Sequence, residues 1–152
     1  MKNKNLASLL EELKTINLTG KIGYAVAKNR KLVEQELETL NETLKVLPDF
    51  EKYEKERITL LEKHASKDEK GKAVIENNAY KIENQEDWEK AIKDLQETHK
   101  EAITYREKQL EDFNALLEEG SKLEFFKITE DQILEEKNAT AQEIYTLLEL
   151  TK

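Results

Sequence analysis

Catalysis needs a group that accepts or donates a proton, attacks a substrate, or holds a metal, and this chain offers few. It has no cysteine and two histidines, His64 and His99. Without cysteine there is no disulfide, no thiol nucleophile and no cysteine-ligated zinc. Neither histidine belongs to a His-Glu-x-x-His or Glu-x-x-His motif, and both fall on apolar helical stripes. Each is therefore expected as a packed or half-exposed helix residue rather than a metal ligand or general base. The 33 acidic residues include no pair set apart by apolar neighbours, the arrangement that splits carboxylate pKa values for acid–base work. Asp68-Glu-Lys-Gly71 lacks the alternating ligands and distal glutamate of a calcium loop. Thr19-Gly-Lys21 lacks the glycine-rich strand-to-helix turn of a phosphate loop. The expectation is a protein that is not an enzyme and holds no metal or cofactor.

Binding chemistry is concentrated in one place. Residues 13–33 contain no acidic side chain, in a chain whose net charge is −8. Within them, Gly20 and Gly23 permit close backbone approach, and a helix start with free amides suits an anion. Tyr24 supplies a stacking face, and Lys21, Lys28, Arg30 and Lys31 supply positive charge. With Asn29, these residues form the candidate ligand or partner site. The plainer alternative is an ordinary helix start whose lysines are solvated or paired with carboxylates elsewhere.

The elements that must position these residues are helical. Of the 152 residues, 38% are apolar and 38% charged, against about 25% charged in a typical soluble domain. That balance suits long solvated helices with narrow apolar stripes. No apolar run approaches the ~18 residues of a membrane span, and the N-terminal residues do not resemble a signal peptide, so a cytosolic protein is expected. Leu6, Leu9, Leu10, Leu13 and Ile16 predict a short amphipathic helix. Ile22, Val26, Asn29, Val33, Leu37, Leu40, Leu44 and Leu47 alternate at intervals of four and three, one seam facing a partner helix. Asn29 is its polar member.

Pro48 cannot donate a backbone hydrogen bond and clashes with the preceding turn, so a kink is expected there. The stripe resumes with Phe50, Tyr53, Arg57, Leu60, Leu61 and His64, giving a first arm over residues 21–66. Residues 72–83 predict a β-hairpin, two strands of about five residues joined by Asn77 and Asn78. Asn84 is a good N-cap for a second arm over residues 85–119. Residues 122–128 alternate like a short strand, and Thr129–Gln132 and Thr140–Glu143 are capping boxes that each predict a helix. The predicted fold is mainly α. It is a single domain over residues 1–152, built as a long antiparallel helical hairpin with the β-hairpin at its tip. Residues 122–152 form strand and helix elements at its open end, packed with the first helix.

Three stretches carry a resemblance. They are Ile22-Gly-Tyr-Ala-Val-Ala-Lys-Asn29, Tyr53-Glu-Lys-Glu-Arg57 with residues 60–64, and Lys67-Asp-Glu-Lys-Gly-Lys-Ala-Val-Ile-Glu-Asn-Asn-Ala-Tyr-Lys-Ile-Glu-Asn84. Together they make the chain resemble a family of small phage and prophage proteins from low-GC Gram-positive bacteria, a domain of unknown function. The likeness continues, more weakly, through residues 88–95 and the closing strand and helix, and covers about two thirds of the chain. Pro48 and a long second arm depart from the pattern. The resemblance implies a phage origin and a helical hairpin, and no activity.

For such a protein the first expectation is counter-defence, by sequestering or blocking a host immune component. That component is either a protein effector or a nucleotide-like anion held near the basic segment. The acidic arms could also imitate a polyanion, whereas direct nucleic-acid binding is disfavoured by the net charge. The alternative is a structural or assembly accessory protein. Narrow stripes on long arms call for a second copy, so a homo-oligomer is expected under either.

Overall fold

A computed structural model describes residues 1–77 and 79–150, apart from the side chain of Glu149. Asn78 of the expected turn and residues 151–152 of the expected C-terminal segment lie outside the described residues. Among the described residues there are seven α-helices and one two-stranded antiparallel sheet. The chain divides into two compact units, Met1–Leu44 with Asp112–Lys152, and Lys45–Glu111. Among the described residues no helix is long and apolar enough to cross a membrane.

The first unit holds the core. Helices α1 (Leu6–Thr15) and α2 (Gly20–Glu42) pack through Leu6, Leu9, Leu13, Ile22, Val26 and Val33, all members of the expected stripes. Ile128, Ile133 and Leu147 close the cluster from the C-terminal segment. Gly20 takes a left-handed φ of +65°, which lets the chain turn into α2. A Cβ on Gly23 would collide with the Leu18 carbonyl, so this glycine lets the connecting segment lie against α2. Its close approach serves the fold and not a ligand.

The strand expected at residues 122–128 is not formed. Its alternation is real, with Leu123 and Phe125 packed against the core and Phe126 outside, but among the described residues no second strand lies beside it. Asn29, fully buried, takes that part instead. Its Nδ2 donates to the Phe126 carbonyl at 2.9 Å, and the Phe126 amide donates to its Oδ1. One side-chain amide thus satisfies both backbone groups of a residue that a neighbouring strand would have paired. The two capping boxes hold as expected, starting α6 (Glu130–Leu134) and α7 (Ala141–Glu149).

The second unit contains α3 (Pro48–His64), β1 (Ile75–Glu76), β2 (Ala79–Tyr80), α4 (Gln85–Thr98) and the first part of α5 (Lys100–Glu118). At Pro48 the helix restarts instead of kinking. Residues 43–47 are not helical, Leu47 is extended at ψ 149°, and Pro48 is the first residue of α3. A missing amide hydrogen costs nothing at that position, where no intrahelical acceptor exists. The second arm is interrupted too, at His99, whose φ and ψ of −108° and 19° separate α4 from α5.

Helices α3 and α4 run side by side in opposite senses, since Tyr53 meets His99 at one end and His64 meets Trp88 at the other. The ribbon is shorter than expected, two residues per strand, with Ile75 opposite Tyr80 and Glu76 opposite Ala79. Its remaining backbone groups are used elsewhere. The Ser66 amide donates to Lys81 and the Val74 amide to Ser66, so the ribbon is fastened to the end of α3. Asn77 takes the left-handed φ of 52° that a tight turn needs. Asn84 caps α4 by accepting from the amides of Glu86 and Asp87.

Candidate functional site

Helix α2 starts at the N-cap Thr19 without a side-chain cap and has no acidic residue in its first turn. The positive end of its dipole is therefore left without an acidic counterweight from that turn. Beside it, the extended segment fixed by Asn29 lays Phe126 and Lys127 along the helix. Together they bound an open groove of about 470 Å³. Ile22, Ala25 and Ile128 form its apolar floor, and Lys21, Tyr24, Phe126, Lys127 and Gln132 its sides.

The aromatic wall is set by geometry. The Tyr24 and Phe126 rings meet edge to face, with centroids 5.7 Å apart and planes at 85°, and both stay about half exposed, at 55% and 48%. Lys28 Nζ lies 5.5 Å from the Tyr24 ring centroid, a cation–π contact that holds its charge near the groove. No carboxylate lines the groove among the described residues. An apolar floor, exposed ring faces and two lining lysines can take a flat apolar group and an attached anion together.

The structure divides the six candidate residues. Lys21 and Tyr24 line the groove, and Lys28 stands over Tyr24. Lys31 is exposed, seven residues after Tyr24 and near the same helical face. Arg30 is about 200° round the helix from Lys28 and pairs loosely with Glu34, at 4.0 Å. Asn29 is buried and both ends of its amide are occupied by Phe126, so it supports the groove from beneath and cannot meet a ligand. Phe126, Lys127 and Gln132 were not singled out from sequence. The available signal was an aromatic at the outward position of an alternating segment, followed by a lysine.

The histidines are apart and half-buried, as their stripes imply. His99 shares a 2.8 Å hydrogen bond with Glu56, and His64 packs edge-on against Trp88. A second depression, of about 460 Å³, lies beside His99, lined by Asp49, Lys52, Glu97, Lys100 and Glu101. Its charges are of both signs and select no ligand. Among the described residues no three acidic or histidine side chains are grouped to hold a metal. The most perturbed carboxylate lies elsewhere: hydrogen bonds from Lys2 and Lys4 hold Glu118 at about 2, well below the usual range. It is an exposed link between the chain's first residues and the end of α5.

Comparison of the chain with models of protein families, with curated proteins and with solved structures finds no match.

Proposed function

We propose that this chain is a non-enzymatic phage accessory protein acting in counter-defence, and that it sequesters a nucleotide-like signal of the host. The observation that supports this reading is the groove at the start of α2: two exposed aromatic rings and lysines, with no lining carboxylate, in a chain of net charge −8. A ring stacked on Tyr24 or Phe126 and a phosphate near Lys21 and Lys127 would use every feature of it. The phage setting rests on the resemblance of residues 22–29, 53–64 and 67–84.

The test is native mass spectrometry of the protein purified from bacteria with active phage defence, against its denatured mass. A bound species of a few hundred daltons is expected, lost in Lys21→Glu/Lys28→Glu and in Tyr24→Ala, and retained in Arg30→Glu. A bare protein, with no binding of nucleoside phosphates by calorimetry, overturns the sequestering role.

A second reading is favoured by a separate observation. In the unit Lys45–Glu111, Tyr53 and Ala65 are the only buried apolar residues among those described. Such a helix pair is suited to association, as in an assembly or structural accessory protein that forms a homo-oligomer. Presence in purified virions would support this role, and absence from them would count against it.

A further inference from the structure

Helices α3 and α4 leave an open groove of about 440 Å³ along one side of the pair. Its α3 wall is Glu56, Thr59, Leu60 and Lys63, a spacing of three, one and three that repeats on one helical face. The α4 wall has the same spacing, with Leu95 on the floor beside Leu60 and Asp94 on the rim. Both leucines are only partly buried, and α4 has no fully buried side chain at all. An apolar floor between charged rims, on a helix pair without a closed core, is the shape of half a four-helix bundle.

The charges indicate what covers it. Glu56 and Lys63 lie seven residues apart, two turns of one wall, with Thr59 and Leu60 midway. A two-fold axis passing in front of the groove face of α3, level with Thr59 and Leu60, would set the helix antiparallel to its own copy. It would bring each Glu56 opposite the Lys63 of the other copy, so the same pair forms twice. Lys63 has no ion-pair partner among the described residues, and Glu56, bonded to His99 through Oε2 and loosely paired with Lys52 through Oε1 at 3.9 Å, keeps a side chain 42% exposed, so docking exchanges a loose exposed pair for Lys63 of the other copy. Threonine at the axis is small enough for close helix approach. We infer that this groove is a self-complementary interface, and that a second copy of the chain docks on it with α3 antiparallel to α3. The inference rests on the oligomer reading above and is independent of the ligand groove on α2.

The absence of cysteine makes the test clean. In the full chain, Thr59→Cys places one thiol at the proposed axis, and Ile58→Cys places one on the opposite, exposed face of α3. Treatment with a short bismaleimide should join Thr59→Cys into a covalent dimer and leave Ile58→Cys monomeric. Sedimentation equilibrium should give a dimer for the native chain. Lys63→Glu should dissociate about tenfold more readily, the factor expected for two lost rim pairs of ordinary strength, with its helical circular dichroism unchanged. Glu56→Lys/Lys63→Glu should restore part of the affinity. A chain that is monomeric at about 100 μM overturns the oligomer reading itself. An oligomer that neither cross-links at Thr59→Cys nor responds to Lys63→Glu leaves that reading standing and overturns this interface.

Discussion

Asn29 sits in the apolar seam of α2, where a leucine would satisfy the heptad pattern and leave the backbone of Phe126 without partners. Removing a hydrogen-bonding side chain from a buried site costs more than the bond is worth, because the groups left behind stay desolvated. Asn29→Leu is therefore expected to lose about 2–4 kcal/mol, two unsatisfied groups plus misfit, read from the urea midpoint. Asn29→Asp should lose at least as much at neutral pH, since it trades the donor for a buried charge. At the glycines a contrast is expected. Gly23→Ala forces a methyl onto the Leu18 carbonyl and should cost roughly 1–3 kcal/mol, as overpacking does. Gly20→Ala meets no neighbouring atom and should cost about 1 kcal/mol, from its left-handed backbone alone. Equal losses at the two positions would contradict the tight contact at Gly23.

At the scale of elements, two carboxylates tie segments together. Glu118 is bonded by Lys2 and Lys4, while Glu143 accepts from the Thr140 amide and hydroxyl and from the Asn17 amide, which lowers its pKa below the usual range. A carboxyl whose folded pKa is depressed stabilises the fold above its unfolded value and loses that contribution as pH falls through the folded one. The melting temperature is thus expected to fall from about pH 4.5 towards about 2, the range set by Glu118. Glu143→Gln should make that fall shallower, and because both groups are exposed, added salt should reduce it further. Helix starts were legible at this scale because Asn84, Thr129 and Thr140 act through their own next turn. The apolar stripes were legible because periodicity alone decides which face is buried. Helix ends within a stripe were not. Pro48 was compatible with a kink or a restart, and His99 breaks the second arm while contacting Tyr53 and Glu56, more than forty residues away. The groove was half legible. Lys21 and Tyr24 advertise themselves by type, but Phe126 joins them only through Asn29, a contact across 97 positions that no local pattern encodes.

Across the whole molecule, burial is uneven. The unit with α1 and α2 contains nearly all the fully buried apolar residues, whereas Lys45–Glu111 contributes Tyr53 and Ala65. Local opening free energy follows buried apolar contact, so amide exchange should be slowest in α1 and α2 and markedly faster in α3, α4 and the ribbon. Protection of α3 and α4 should rise with protein concentration if they pair between copies. Uniform protection at high dilution would show that the second unit is stabilised by something other than its own packing. The first unit is also split in sequence, its two halves being Met1–Leu44 and Asp112–Lys152. On the ribosome, α1 and α2 emerge well before Ile128, Ile133 and Leu147, which close their core, are translated. At roughly 5–20 residues per second, residues 45–111 alone impose a wait of about 3–13 seconds. During that interval the nascent chain carries an uncovered leucine face, the kind of transient exposure that makes a chain prone to aggregate before it is complete.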